Sequence, residues 1–335
     1  MKTILVTGSA GFIGSALTAR MLEIGHKVIG IDNLNNYYDI NLKKARLKRF
    51  INNQNYTNHI MDIEDQPSLK EIFDQNEIDI VINLAAQAGV RYSLINPQKY
   101  ISTNILGFTN ILEESKRHNI NHLIYASSSS VYGLNKSIPF STSDMTNHPA
   151  SVYAVTKKSN ELLAHTYSYL YGIPTTGLRF FTVYGPWDRP DMALQQFAKS
   201  IINGEPIKLF NYGNHKRDFT YIDDIVEGVI KVSSKPACSN SKWDSHNPSA
   251  KSSLCPYQIY NIGNNSMVEL ERYVDILEKE LGRKAKRELL PMQSGDIENT
   301  FADIDDLILD FKYKPSTAVE IGVKKFAEWF KDYYM

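Results

Sequence analysis

Disulfide frameworks and membrane spans are both excluded by what this chain of 335 residues lacks. It holds two cysteines, Cys238 and Cys255, and so few thiols in a chain of this length are typical of a reducing compartment. We therefore expect a cytoplasmic protein. No segment approaches the roughly 20 consecutive apolar residues of a membrane-spanning helix, so we expect no membrane partner.

A surplus of charge of either sign is missing as well. Lys and Arg together number 37, Asp and Glu together number 37, and the formal net charge is +0. No long-range field therefore attracts nucleic acid or an acidic membrane surface, and we expect neither as a partner. An anionic ligand must instead be bound by a few residues of a local site. Apolar side chains are abundant, at 42% of the chain, which suffices for a substantial packed core.

Short β-branched runs alternate with amphipathic stretches through the N-terminal half. This alternation is typical of strands joined by crossover helices, so we predict an α/β fold with a Rossmann-type doubly wound parallel sheet. The predicted strands span residues 4–7, 27–32, 59–61, 80–84, 122–127 and 175–180. The predicted helices carry apolar residues at helical intervals and span 11–24, 67–75, 100–118 and 152–171.

The pattern changes after Gly185, where prolines interrupt and shorter elements follow. We expect residues 1–185 to form one domain. Residues 186–335 are expected to form mainly a smaller α/β domain, with some segments returning to the first. Residues 233–256 are rich in Ser, Asn, Lys and Pro, which predicts a surface loop.

A glycine-rich turn follows the first predicted strand and opens the first predicted helix. Gly8, Gly11 and Gly14 allow a tight turn and let the backbone approach a pyrophosphate, whose charge the helix N-terminus stabilises. The order of strand, turn and helix makes this glycine pattern specific for a dinucleotide. Phe12 and Ile13, between the last two glycines, are expected to contact the cofactor as well.

The second predicted strand ends in an acidic residue, Asp32. A carboxylate there accepts hydrogen bonds from the adenosine ribose diol and repels the 2′-phosphate of NADP. Asn33 follows instead of a basic residue, so we predict NAD. Further cofactor contacts are expected after the third and fourth strands and on the next helix, at Asp62, Ile63, Leu84, Ala85, Ala86 and Asn104. A helix N-cap is the alternative role for Asp62.

Five of the seven residues 43–49 are Lys or Arg. Leu and Ala between them predict a basic helix. A helical face exposed to solvent is the favoured interpretation, and a position near the cofactor phosphates is the alternative.

Tyr153 and Lys157 stand four residues apart in a predicted helix and therefore share one face. A phenol has a pKa of ~10, and a neighbouring cation favours the phenolate, so we expect the pair to supply a general base. Lys157 can also donate to the nicotinamide ribose. Four serines, 127–130, end the fifth strand at the edge where open α/β sheets bind ligands. Their hydroxyls can shuttle a proton, and a merely polar turn is the alternative.

Together the glycine turn, the serines and the Tyr-Lys pair resemble the extended short-chain dehydrogenase/reductase superfamily over essentially the whole chain. The chain is further similar to UDP-glucuronate 4-epimerases of the bacterial capsule type at residues 31–39, 87–93, 179–187 and 189–193. The resemblance implies that Ser128, Tyr153 and Lys157 are catalytic. It also implies bound NAD without a metal ion, a UDP-sugar substrate, and a homodimer formed through the helices at 100–118 and 152–171.

The resemblance assigns further binding roles on both halves of the chain. Phe180, Val183 and Tyr184 would line the nicotinamide region, Lys208 and Phe210 would lie near the uracil, and Asp296 resembles a ribose-binding aspartate. Arg189 and Arg217 would neutralise the diphosphate by bidentate contacts. Galactose-type epimerases carry an arginine where this chain has Gln293, which leaves one diphosphate contact open. Four residues are expected to act on the uronate: Arg91, Ser127, Ser129 and Thr182.

The implied reaction is reversible C4 epimerisation of UDP-glucuronic acid to UDP-galacturonic acid through a 4-keto intermediate. Dehydratases of the superfamily have Thr-Asp-Glu just before the positions that correspond to Val131-Tyr132-Gly133. Decarboxylating relatives have Glu immediately before these positions. Here Ser129 and Ser130 stand directly before Val131, which disfavours both chemistries. A 4-epimerase of neutral or N-acetylated UDP-hexoses is the runner-up, and a redox-inactive NAD-binding scaffold is a further alternative.

Overall fold

The computed structural model describes residues 1–293 and 297–335. Numbered along the chain, the strands of this part are β1 (Thr3–Thr7), β2 (Lys27–Asp32), β3 (Tyr56–Ile60), β4 (Ile80–Asn83), β5 (His122–Ser128), β6 (Thr175–Phe180), β7 (Thr182–Tyr184), β8 (Pro206–Leu209), β9 (Lys216–Tyr221), β10 (Tyr257–Ile262), β11 (Met267–Glu269) and β12 (Lys286–Leu289). The α-helices are α1 (Phe12–Glu23), α2 (Ile40–Lys48), α3 (Gln66–Gln75), α4 (Pro97–Tyr100), α5 (Phe108–Arg117), α6 (Val152–Tyr171), α7 (Ala193–Asn203), α8 (Ile222–Ser233), α9 (Leu270–Leu281), α10 (Asp305–Phe311) and α11 (Val319–Tyr334).

A seven-stranded parallel sheet in the order β3-β2-β1-β4-β5-β6-β10 forms the centre. The chain first builds outward from β1 to β3 and then returns to the other side of β1 with β4, which is the point where doubly wound sheets bind ligands. In register, Thr7 lies between Ile31 and Asn83. The turns that follow β1, β2 and β4 therefore meet at one edge. The predicted α/β doubly wound sheet is confirmed.

Helices cover both faces of the sheet because its strands are apolar on both sides. Ile4 and Val6 of β1 pack with α1, α2 and α8, whereas Leu5 packs on the opposite side with α3, α5 and α6. Buried strands alternate their side chains between two cores. The sheet is thus fixed from both sides, and its carboxyl edge becomes a rigid platform for loops.

Two strands depart from the sequence prediction. β3 begins at Tyr56 rather than at residue 59. The prediction missed this start because Thr57, Asn58 and His59 interrupt the apolar pattern of this outermost strand. β10 was not among the predicted strands, and it adds to the sheet beside β6. A segment from beyond residue 186 therefore completes the large sheet. The domain boundary at residues 185 and 186 stays a prediction.

The predicted helix at 100–118 is interrupted. It consists of α4, a π-helical stretch Ile101–Gly107, and α5. Gly107 lies against Ile63, whose Cγ1 would be 2.7 Å from any added Cβ. The wider π turn therefore accompanies a close approach to the loop after β3, and such turns are frequent at functional sites.

The C-terminal elements build a smaller layer beside the carboxyl edge. β11, β9 and β7 form one sheet, and β12 and β8 form another. α7 and α9 pack on each other, as do α9 and α11. Within the described ranges, no helix is long and apolar enough to cross a membrane.

Candidate active site

The turn between β1 and α1 has the geometry of a phosphate-binding loop. Gly8 has φ +73°, and a Cβ on it would lie 2.9 Å from the backbone N of Ala85. A Cβ on Gly14 would lie 2.0 Å from the Gly8 carbonyl oxygen. No side chain caps α1 at Gly11, so its first N–H groups point toward the space above the turn. These residues fit the pyrophosphate of a dinucleotide.

The neighbouring residues place an acidic group beside this turn. Asp32 Oδ2 accepts a hydrogen bond from the Ala10 N–H at 3.1 Å, and Oδ1 accepts from the Leu34 N–H at 2.9 Å. Asn33 donates from Nδ2 to Asp62 Oδ2 at 2.9 Å. Asp32, Asn33 and Asp62 therefore lie together, as an adenosine site would require.

The fourth strand contributes backbone to the same cleft. The Ala85 N–H donates to Thr7 Oγ1 at 3.1 Å, which holds the half-buried segment of Leu84, Ala85 and Ala86 against the glycine turn. Ile63 is 3% exposed and packs against Gly107. Small side chains at 85 and 86 leave room for a flat ligand.

Asn104 lies on the side of the cleft formed by the segment after β4. It is buried in the π-helical stretch, where its Oδ1 accepts from the Gln87 N–H at 2.8 Å. Its Nδ2 donates to the Gln87 carbonyl at 3.1 Å and to Thr156 Oγ1 at 3.0 Å. The amide thus joins the segment after β4 to α6, and the contact of Asn104 with the cofactor stays a prediction.

The catalytic candidates meet where β5 ends and α6 begins. Ser151 caps α6 by accepting from the Ala154 N–H, so Tyr153 lies in the first turn, beside the end of β5. Ser128 Oγ lies at hydrogen-bonding distance from Ser130 Oγ, 3.1 Å, and is close enough to Tyr153 to lower its pKa. Tyr100, which the sequence analysis missed, packs edge-on against Tyr153 with ring centroids 6.1 Å apart.

The electrostatics of Tyr153 differ from the expectation. Burial raises its pKa, and Ser128 and the charge of Arg189 only partly oppose this effect. Lys157 does not act as the pKa-lowering neighbour. Its Nζ lies 5.9 Å from the Tyr153 ring centroid and donates to the Ala126 carbonyl at 2.8 Å. Burial therefore favours the phenol of Tyr153 over the phenolate.

The ammonium group of Lys157 is almost completely buried. It is 3% exposed, and burial lowers its pKa from 10.5 to about 8. That change corresponds to about 3 kcal/mol of destabilisation by the buried charge. Such a residue is kept for its function rather than for stability.

Replacing Lys157 with methionine is therefore expected to increase the free energy of unfolding at neutral pH by up to about 3 kcal/mol while abolishing turnover. In wild type, the unfavourable contribution is complete below the folded pKa of about 8 and disappears as pH rises to the unfolded value of 10.5. The higher stability of Lys157→Met relative to wild type should therefore disappear as the pH rises from about 8 to 10.5. Urea unfolding of nucleotide-free proteins, with Lys158→Met as the matched control, measures this. A Lys157→Met protein less stable than wild type at neutral pH would contradict it.

Ser127 is not brought to the pocket. Its Oγ donates to Glu161 Oε1 at 2.7 Å, and the side chain is 2% exposed beneath α6. Arg179 binds the same carboxylate with two bonds of 2.8 and 3.0 Å. The expected role of Ser127 in holding the uronate is thus corrected, because alternate residues of β5 face opposite sides. Ser128 faces the site and Ser127 faces this buried pair.

The end of β6 supplies the opposite wall. Phe180 pairs with Ser128 across the sheet, and Phe180 and Val183 are both buried. Thr182 and Ser129 are half-buried at the same edge. These positions suit a nicotinamide and a sugar ring.

Tyr184 lies away from this wall. It packs edge-on against Phe219, Tyr221 and Tyr273 in the C-terminal core. Its expected place near the nicotinamide is therefore wrong.

Arg189 is engaged with an acidic neighbour. It makes two bonds to Asp191, Nε to Oδ1 at 2.9 Å and Nη2 to Oδ2 at 2.8 Å. Burial alone would lower the pKa of Arg189, but this pair raises it. Tyr37 also donates to Asp191, at 3.4 Å. Asp191 was missed as a partner, although Arg-x-Asp was visible in the sequence.

The remaining substrate candidates come from both halves. Arg91 lies over the Phe210 ring with Cζ 5.0 Å from the centroid, so these two are brought together. Lys208 is exposed on β8, and Arg217 donates to the Glu298 carbonyl at 2.6 Å. Asp296 lies outside the described residues.

The basic helix α2 divides into two groups. Lys44, Lys48 and Arg49 are exposed, as the favoured interpretation predicts, whereas Lys43 and Arg46 are buried. Arg46 donates to the carbonyls of Ala10, Trp187 and Asp188 and to the Tyr38 hydroxyl. It therefore ties the glycine turn to the segment that carries Arg189.

The parallel sheet, the glycine turn and the Ser-Tyr-Lys set define a Rossmann-type enzyme of the short-chain dehydrogenase/reductase class. Comparison with known proteins narrows this class. The sequence model of the NAD dependent epimerase/dehydratase family matches residues 4–263. The chain therefore belongs to the NAD dependent epimerase/dehydratase family.

Individual relatives cover the chain almost completely. Protein CapI of Staphylococcus aureus is 54% identical over 99% of both chains. A probable UDP-glucuronate 4-epimerase of Rhizobium meliloti is 44% identical over 98% of this chain and 97% of its own length. The crystal structure of UDP-glucuronic acid 4-epimerase from Bacillus cereus, in complex with UDP-glucuronic acid and NAD, matches with a TM-score of 0.89 at 33% identity, over 99% of this chain and 100% of the other.

Proposed function

We propose that this protein interconverts UDP-glucuronic acid and UDP-galacturonic acid by inverting C4, with NAD retained. One observation carries the proposal: Ser128 and Tyr153 meet at the carboxyl edge beside the glycine turn, where no carboxylate precedes Val131. That set can oxidise a hydroxyl and reduce the ketone again, but it lacks the acid-base pair of an elimination. The activities named for the Rhizobium and Bacillus relatives support the same substrate.

Tyr153 takes the proton of the sugar 4-hydroxyl. Ser128 lies beside Tyr153 and either relays this proton or holds the 4-hydroxyl oxygen by a hydrogen bond. NAD held by the glycine turn and Asp32 would supply the acceptor for the hydride of C4 and the donor for its return. Between the two steps the 4-ketose turns over, so that its opposite face receives the hydride, and Tyr153 gives its proton back to the ketone oxygen. Substrate and product have the same oxidation state, hence no cofactor is consumed.

The uronate carboxyl group adds one requirement. In the 4-ketose the ketone is β to the carboxylate, so carbon dioxide is lost if the breaking bond aligns with the carbonyl. Ser129 and Thr182, half-buried at neighbouring strand ends, are proposed to hold the carboxylate out of that alignment. Arg189 and Arg217 are proposed to bind the diphosphate, Arg91 the sugar, and Lys208 and Phe210 the uracil end. Asp296 is proposed for the uridine ribose.

The test is to incubate the purified protein with UDP-glucuronic acid and no added NAD, and to resolve products by anion exchange and proton NMR. UDP-galacturonic acid is expected. UDP-xylose instead would show that the serines do not prevent decarboxylation. If neither product forms even with added NAD, the uronate assignment fails, and UDP-glucose and UDP-N-acetylglucosamine become the substrates to test.

We also propose a homodimer through α6 and the adjacent π-helical stretch. Val155, Leu162 and Tyr169 recur every seven residues, so they share one face of α6, and they are 43%, 58% and 66% exposed. Leu106 on the neighbouring stretch is exposed as well. Exposed apolar side chains that recur along one face of a helix favour a surface covered by a partner. We further propose that this dimer acts in the cytoplasm and supplies an activated uronic acid for surface polysaccharide.

Leu162→Glu is expected to convert the dimer to a monomer, because a charge would be buried at the centre of the interface. Light scattering on a sizing column gives the mass directly. Leu309→Glu, at another exposed leucine on α10, is the matched control and should leave the mass unchanged. A wild-type protein that is already monomeric at micromolar concentration would rule out the dimer.

A further inference from the structure

The side chain of Lys43 is buried although it carries an ammonium group. Lys43 is 5% exposed. Its Nζ donates to Asn35 Oδ1 at 2.9 Å and lies 4.8 Å from the Tyr38 ring centroid. Among residues 1–293 and 297–335, Asn35 is the only hydrogen-bond acceptor for its three N–H groups. A buried ammonium with so few partners is costly unless another group meets it.

The surroundings of Lys43 are those of the adenosine site. Burial lowers the pKa of Lys43, whereas the nearby charge of Asp32 raises it. Asp32 itself accepts from the Ala10 N–H of the glycine turn. The ammonium, the carboxylate and the turn thus border one space at the carboxyl ends of β1 and β2, where the ribose of a dinucleotide lies.

We propose that Lys43 is a further cofactor-binding residue, which donates to the adenosine ribose beside Asp32 and, together with Asp32, sets the preference for NAD over NADP. The inference rests on the NAD dependence of the proposed function. Asp32 accepts the ribose hydroxyls and at the same time neutralises Lys43. Without the Asp32 charge, a buried cation stands where the 2′-phosphate of NADP would bind.

Five proteins test this with bound nucleotide as the readout. Copurified nucleotide is removed on charcoal, each protein is incubated with equal NAD and NADP, and the retained nucleotides are released with acid and quantified by chromatography. Titration with NAD alone gives the dissociation constants. The variants are Lys43→Met, Asp32→Asn and the double variant, beside wild type. Lys44→Met is the matched control, since Lys44 is exposed on the same helix.

Lys43→Met is expected to weaken NAD binding roughly ten-fold, the range of one hydrogen bond from a charged donor. Lys44→Met should bind as wild type does. Asp32→Asn should shift the retained ratio toward NADP by roughly ten-fold or more, and the double variant should lose that shift. A merely structural role of Lys43 predicts no such dependence on Asp32.

Two results would overturn the proposal: Lys43→Met binding NAD as tightly as Lys44→Met, or Asp32→Asn gaining NADP equally with and without Lys43. Thermal unfolding checks that each variant is folded. Lys43→Gln, which removes the charge and keeps a donor for Asn35, replaces Lys43→Met if the latter unfolds. If wild type retains no NAD, the proposed function itself fails. If only the variants deviate from expectation, the role of Lys43 alone is rejected.

Discussion

Tyr153→Phe is expected to lower kcat by roughly a hundred- to ten-thousand-fold, the contribution of a positioned acid-base group. Phenylalanine keeps the edge-on contact with Tyr100 but cannot accept the proton of the sugar hydroxyl. The fold and most of the bound NAD should therefore be retained. The turnover of UDP-glucuronic acid and the amount of NAD bound to the protein are measured on the same preparation.

The pH dependence separates chemistry from folding. Because burial raises the pKa of Tyr153, the phenolate is scarce at neutral pH, and wild-type kcat should rise with pH across the neutral range. The residual rate of Tyr153→Phe should not. Tyr171→Phe, exposed at the C-terminal end of the same helix, is the matched control. A Tyr153→Phe enzyme that keeps more than about a tenth of wild-type kcat would remove Tyr153 from the proton transfer.

Arg179→Met is expected to lower the free energy of unfolding by about 3–5 kcal/mol, because it leaves the carboxylate of Glu161 buried without its partner. Both side chains are 0–1% exposed in this pair. Burial alone would raise the pKa of Glu161, but Arg179 and the partners Lys158 and Ser127 hold it below its ordinary value. The pair therefore stabilises the protein at pH values above the ordinary pKa of a glutamate. This contribution is lost as the pH falls through the lowered pKa that Glu161 has in the folded protein.

Urea unfolding of three variants tests the pair. Lys158 contacts the same carboxylate from a position 22% exposed, so Lys158→Met should cost only about 0–1 kcal/mol. The double variant Arg179→Met with Glu161→Leu should recover much of the loss, since it removes both charges. If Arg179→Met costs no more than Lys158→Met, the buried pair is not what anchors α6 to β6.

Local patterns account for most of the sheet and for the residues that are proposed to react. A strand followed by Gly8, Gly11 and Gly14 is a local arrangement, because Gly8 has a φ of +73° and the other two glycines approach the Gly8 carbonyl within one turn. Tyr153 and Lys157 share a face through helical spacing alone. The strands β1, β2, β4, β5 and β6 follow from their apolar runs. These features needed no knowledge of distant neighbours.

The errors concern residues whose role depends on a partner far along the chain. Ser127 and Ser128 are adjacent and chemically identical, and only the pairing of β5 with α6 and β6 decides that one faces Glu161 and the other the site. The expected lowering of the Tyr153 pKa failed because burial raises that pKa, and Lys157 donates to the Ala126 carbonyl instead. No spacing rule predicts such partners.

The sequence by itself determined the α/β sheet, the glycine turn, the acidic end of β2 and the serine, tyrosine and lysine that are proposed as catalytic residues, since each follows from neighbours a few residues apart. Only the tertiary structure decided which polar side chains reach the cleft, that β10 returns to complete the sheet, and that Lys43 is buried beside Asp32. Burial and ionisation depend on everything packed around a group, and those neighbours are set by the whole fold.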